Sequence, residues 1–192
     1  MNYKNEPYPK DLLSVLNNAE DLARMIDEKL NDDSCKSIKE LFCIKEGRIK
    51  RNVEIFDALG YVPNTFLKTN SQNTKNNEFK GLYIFGEEIE NKITPVYVGI
   101  SRSVFRRLKQ HAWGKKHNEC TLAYLKTRHQ CETEGKQFYR KISTEEDMLP
   151  AKSLIRNFKV VLVNIENDYE LYFLEVALAG IFKTKWNSFK TH

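Results

Sequence analysis

Between Asn70 and Glu78 the chain reads NSQNTKNNE, with no apolar side chain and abundant asparagine. Such a stretch offers nothing to a core and favours turns and solvated backbone, so it divides the chain into parts that must fold around different contacts. On its amino-terminal side apolar residues recur at helical spacing; on its carboxy-terminal side they gather into short strand-like runs. The predicted organisation is a helical region over 1–69, a linker over 70–78 and an α+β domain over 79–192.

In the first part, Leu12, Leu16, Ala19, Ala23, Ile26 and Leu30 alternate steps of four and three, as one face of a helix from Asp11 to Leu30 requires. The same steps resemble a coiled-coil seam but run shorter than three to four heptads, so packing within the chain is predicted over dimerisation, with monomer and homodimer both open. A second helix is predicted from near Ser34, carrying Ile38, Leu41 and Phe42. A third would carry Ile49, Val53, Phe56 and Leu59, ending at Gly60 with Pro63 beyond. The region reads as all-α.

In the second part, Gly81–Phe85 and Val96–Ile100 read as a hairpin with a long loop, because ten largely polar residues including Gly86 and Pro95 separate them. Lys159–Ile165, KVVLVNI, is the third strand. Helices between the strands complete a small, mostly antiparallel three-stranded sheet flanked by helices.

A 192-residue chain with 41% hydrophobic residues can bury a substantial core. No apolar run reaches the roughly 20 residues of a membrane span, and the opening MNYKNEPYPK contains no signal-like stretch, so a cytoplasmic protein without membrane association is expected. Cys35, Cys43, Cys120 and Cys131 form no CxxC pair and read as reduced thiols; His111, His117, Cys120 and Cys131 match no common zinc spacing.

The formal charge of +5 is modest, but its distribution is uneven. From Arg102 to Lys116 there are six Lys or Arg and no acid, namely Arg102, Arg106, Arg107, Lys109, Lys115 and Lys116. A single-sign cluster attracts phosphate backbones. Strand alternation places Tyr83 opposite to Leu82 and Ile84, and Tyr97 opposite to Val96 and Val98, which lets the two tyrosines share a face. Arg107 and His111, four apart, share a helix face. On LYFLEVALAGIF, Glu175 sits on an apolar stripe with Leu171, Leu178 and Ala179. A carboxylate there needs a cation, a metal or a proton, and both an ion pair with Arg107 and a metal site satisfy that need.

The order of these elements resembles the GIY-YIG nuclease family. Gly81-Leu82-Tyr83 stands for the first tripeptide and Tyr97-Val98-Gly99 for the second; Arg107, His111, Glu175 and Asn187 follow in the family order. The likeness covers Gly81 to His192, and the closing NSFKTH resembles the end of some bacterial members. It does not extend to the first eighty residues, and the stretch from Cys120 to Arg156 is longer than the minimal family domain needs.

The resemblance implies an α+β endonuclease domain that hydrolyses phosphodiester bonds, most readily in double-stranded DNA, with Mg²⁺ or Mn²⁺ as cofactor. Tyr83 would be the general base, helped by Tyr97 and His111. Arg107 would hold the scissile phosphate, Glu175 the metal, and Asn187 would orient the phosphate or the neighbouring strand. Arg102, Arg106, Lys109, Lys115 and Lys116 would contact nucleic acid. Two alternatives stay open, a non-catalytic nucleic-acid-binding module on the same fold and an RNA-directed nuclease. The amino-terminal cations Lys36, Lys39, Lys45, Arg48, Lys50 and Arg51 read as phosphate-tracking groups or as a solvated face.

Overall fold

A computed structural model describes residues 11–59, 79–137, 145–187 and 189. The expected helix end at Gly60 and Pro63, the linker at 70–78 and most of the closing NSFKTH lie outside them. The chain divides into two compact units, each built from separated stretches. One takes the residues up to Cys35, then Lys80–Val104 and everything from Lys159; the other takes Lys36–Phe79 and Phe105–Phe158.

The first unit contains α1 (Leu12–Asn31), β3 (Gly81–Ile89), β4 (Lys92–Ser101), β5 (Lys159–Asn164) and α7 (Asp168–Phe182). Its three strands pair antiparallel in the order β4-β3-β5. Ala19, Ala23, Ile26 and Leu30 pack with Leu82, Ile84, Val98 and Val161 and with Leu171, Leu174 and Leu178, so the stripe predicted for α1 is buried against the sheet and α7 from Ala19 onward, whereas Leu16 is exposed. Asp11 caps α1 by accepting from the Ser14 N–H at 3.0 Å. At its other end the Asn31 amide donates to Ile93 O at 3.1 Å and accepts from Ile93 N at 3.0 Å, fixing the helix to β4.

The loop expected between β3 and β4 is a tight turn instead. Both strands run through the polar link to the pair Ile89↔Lys92, and Glu90 and Asn91 carry positive φ of 51° and 63°. Two consecutive positive φ values are what a two-residue type I′ hairpin turn requires, and its twist matches that of the strands. Gly86 and Pro95 are accommodated at a register shift next to Phe85.

The second unit holds α2 (Ile38–Leu41), β1 (Phe42–Lys45), β2 (Arg48–Arg51), α3 (Val53–Ala58), α5 (Thr121–Thr133), α6 (Leu149–Asn157) and α4 (Val104–Trp113) from Phe105 onward. The all-α expectation is corrected here: Phe42 and Ile49 belong to an antiparallel hairpin, and Leu59 only caps α3. Glu46 and Gly47, with φ of 54° and 68°, form a second two-residue turn between Lys45 and Arg48. Isoleucines and phenylalanines at steps that imitate a helix misled the periodicity, and the glutamate-glycine turn decided the structure. The core is aromatic: Phe42 packs edge-on to Phe56 and Trp113, and Phe56 edge-on to Phe105 at 4.8 Å.

Candidate functional site

Register explains the tyrosine pair and its glycines. Tyr83 stands opposite Gly99 and Phe85 opposite Tyr97, so all three aromatic rings occupy one face of the β3–β4 hairpin. The Tyr83 and Tyr97 rings lie 6.2 Å apart, with Phe85 at 5.3 Å from the first and 5.9 Å from the second. A Cβ placed on Gly99 would fall inside the tip of the Tyr83 phenol, overlapping both Cζ and the hydroxyl oxygen. The glycine is therefore the floor on which the hydroxyl rests. Gly81 has an equivalent reason, because a Cβ there would strike the Val163 carbonyl of β5. Tyr83 is buried and Tyr97 half-buried.

Asn187 acts on the same hairpin. Its side-chain carbonyl accepts from the Val98 N–H at 2.8 Å, and its amide donates to Val98 O at 2.7 Å, while the Thr184 hydroxyl donates to the same carbonyl oxygen at 2.9 Å. The Trp186 N–H adds a bond to Val96 O at 3.2 Å. Together they occupy backbone groups on the free edge of β4, so Asn187 holds the strand that carries Tyr97 and Gly99.

Glu175 projects from α7 between the buried Leu171, Leu178 and Ala179, as the stripe predicted. Burial pushes its carboxyl up to about 7 from an ordinary value near 4.5. Among the described residues it has no ion-pair or hydrogen-bond partner. The asparagine cap of α7 is conventional, with Asn167 accepting from the Tyr169 and Glu170 N–H groups.

In the second unit, Arg107 and His111 do share a face of α4. The guanidinium donates to Glu119 O at 2.8 Å, Asn118 O at 3.4 Å and the Thr121 hydroxyl at 3.3 Å. Its bonds are all to neutral acceptors, and no carboxylate pairs with it among the described residues. Three of its five N–H donors are thereby used, so the fork is held while retaining donors. Burial, reinforced by Arg107, holds His111 well below its ordinary value, so the imidazole is neutral.

The basic cluster is less uniform than its sequence. Arg102 is ion-paired with Asp168, which also binds Lys80 at 2.8 Å. Lys109 donates to Ile49 O at 2.9 Å. The Glu119 carboxylate accepts from the backbone N–H groups of Lys115 at 3.0 Å and Lys116 at 3.2 Å, and these bonds lower its pKa. Arg106, Lys109, Lys115 and Lys116 remain exposed. Sequence reasoning missed the Lys80–Asp168–Arg102 group, for which no periodicity exists, and Lys152, a buried lysine on α6.

The four cysteines are free thiols, and no cluster of three or more His, Cys, Asp or Glu side chains occurs among the described residues. No helix among them is long and apolar enough to cross a membrane. No family model, curated protein or solved structure matches the chain.

Proposed function

We propose that the chain is a metal-dependent endonuclease of the GIY-YIG type that hydrolyses phosphodiester bonds in duplex DNA. The observation that carries this reading is Glu175, a half-buried carboxylate on an apolar helix face whose protonation is perturbed by burial alone. Such a group is satisfied by a proton or by a cation, and carboxylates perturbed in this way cluster at functional sites. A single carboxylate fits Mg²⁺ or Mn²⁺, which retain several waters and take further oxygens from substrate phosphates rather than from a protein cage. When bound, the metal supplies Lewis-acid stabilisation of charge on the phosphate and the leaving oxygen.

The chain's own residues supply the remainder. The Tyr83 oxygen, resting on Gly99 and acting as the phenolate once its own proton has been lost to solvent, takes the proton of the attacking water, and Tyr97 on the same face supports it. Arg107, carrying no paired carboxylate, donates its remaining N–H groups to the scissile phosphate and opposes the charge that grows there. Neutral His111 backs the arginine without adding a repelling charge. Asn187 is a positioning residue for β4. Exposed Arg106, Lys109, Lys115 and Lys116 contribute sequence-independent attraction.

Incubation of the purified protein with plasmid, linear duplex, single-stranded DNA and RNA, each with Mg²⁺, Mn²⁺ or EDTA, tests the reading. Cleavage of duplex DNA that EDTA stops, and that Glu175→Gln abolishes while DNA binding persists, is the expected result. Binding without cleavage under every metal condition points to a non-catalytic module, and cleavage confined to RNA replaces the substrate.

A further inference from the structure

The β1–β2 hairpin is a surface element that the catalytic reading leaves without a role. Its register pairs Cys43 with Lys50 and Lys45 with Arg48, so these side chains share one face, while Phe42, Ile44, Ile49 and Arg51 share the other. The second face is anchored: Phe42 packs on Phe56 and Trp113, and the Arg51 guanidinium lies 4.8 Å above the Phe105 ring. The first face carries three cations, Lys45, Arg48 and Lys50, all exposed. Lys50 meets Glu46 at 3.0 Å; Lys45 and Arg48 have no ion-pair partner among the described residues. At the tip, Ile44 is 72% exposed, an apolar side chain that nothing in the described structure covers.

We infer that this hairpin is a recognition ribbon that enters the major groove of B-form DNA with its three-cation face turned to the duplex, where Lys45, Arg48 and Lys50 meet phosphates at the groove edges. A two-stranded ribbon has strands about 5 Å apart and fits a groove about 12 Å wide. An A-form RNA duplex offers only a deep, narrow major groove that such an element does not enter. Charge complementarity selects a polyanion. The ribbon is braced rather than loose: Lys109, on the basic helix α4, donates to Ile49 O at 2.9 Å, tying two cationic elements of one unit together. The inference rests on the nuclease reading and narrows its substrate to duplex DNA approached from the major groove.

The test uses the full chain in EDTA, comparing the parent, the triple variant Lys45→Ala/Arg48→Ala/Lys50→Ala and the single Arg48→Gln on B-form DNA and RNA duplexes of one sequence. The parent is expected to bind the DNA duplex more tightly than the RNA duplex, and N7-methylation of guanine, which blocks the major groove, is expected to weaken it. Neutralising three phosphate contacts lowers the slope of log K against log salt by about 2 to 3, and the single variant lowers it by about 1. Melting curves matching the parent show that the variants fold, as the untouched aromatic anchor requires; the single substitution preserves shape if the triple does not fold. Unchanged slopes in a folded variant, equal affinity for both duplexes, or indifference to N7-methylation overturn the ribbon. If the parent cleaves duplex DNA in Mg²⁺ and the variants still bind like it, the ribbon alone falls; if the parent neither binds nor cleaves nucleic acid, the nuclease reading falls as well.

Discussion

The molecule contains two hairpins with the same kind of turn and opposite surroundings. β1–β2 turns through Glu46-Gly47 and β3–β4 through Glu90-Asn91, each pair at positive φ. The strands of the first are four residues long and mostly exposed; those of the second are nine and ten residues long, and β3 is buried from Gly81 to Gly86. Local turn geometry therefore creates a hairpin but does not say what it is for. Burial separates them: the long hairpin fixes the Tyr83 hydroxyl over a glycine, as the proposed general base would need, and the short one leaves its cations in solvent, as the proposed encounter with a polyanion would need.

Substitutions should separate these roles, the largest effect coming from the buried hairpin. Tyr83→Phe keeps the ring against Phe85 and Tyr97 but removes the proton acceptor, so turnover should fall about 10²- to 10⁴-fold with the melting temperature near that of the parent. A single-turnover cleavage assay beside thermal melting decides it. A variant that cuts at the parental rate removes the distinction between the hairpins.

Gly99→Ala tests the floor beneath that hydroxyl. Its methyl group must displace the Tyr83 ring, and overpacking of this kind costs about 1 to 3 kcal/mol with loss of alignment at the reacting atom. Denaturant unfolding and the same cleavage assay should both register the change. A methyl group at Gly47, which nothing approaches within 4 Å, should disturb only the turn.

Glu175 makes stability depend on pH in a definite direction. Its folded-state carboxyl titrates about 7, above the ordinary 4.5 of an exposed glutamate, so the contribution is fully present below the lower value and is lost as pH rises through 7. For a half-buried group screened by solvent the loss is about 1 to 2 kcal/mol. Metal-free protein should melt lower at pH 8 than at pH 5, Mg²⁺ should restore part of the difference, and Glu175→Gln should flatten the profile. A parent whose melting temperature is flat across this range would remove the perturbed carboxylate from the site.

The smallest effect belongs to the exposed turn. Gly47→Ala places a side chain at φ of +68°, a strain of about 1 kcal/mol, and should leave cleavage of a standard plasmid within about twofold of the parent. Equal loss of activity from Gly47→Ala and Gly99→Ala would show that both hairpins serve the chemistry directly.

Much of the site was legible in the chain because strand and helix periodicities set directions. Alternation brought Tyr83 and Tyr97 to one face, a four-residue step joined Arg107 to His111, and Glu175 lies on the stripe that its neighbours define. Partners distant in sequence were not legible. Arg102 looked like a free cation until Asp168 and Lys80 were placed beside it, and Asn187 showed no sign of its bonds to the Val98 backbone, 89 residues away.

The sequence by itself determined which segments are helices and strands wherever a period ran long enough to outvote its alternatives, as in α1, α4, β5 and α7. It also carried the glycines of both tripeptides, although not their reason. Only the tertiary structure decided the rest. FCIKEGRIK became a hairpin because two positive φ values close a two-residue turn and the Phe42 ring then finds Phe56 and Trp113. The stripe of α1 from Ala19 to Leu30 was committed to the sheet and α7, and Gly99 became necessary only once cross-strand register laid a phenol across it. Periodicity specifies the face that a residue occupies, but the neighbour waiting on that face is chosen by the packing of the whole unit.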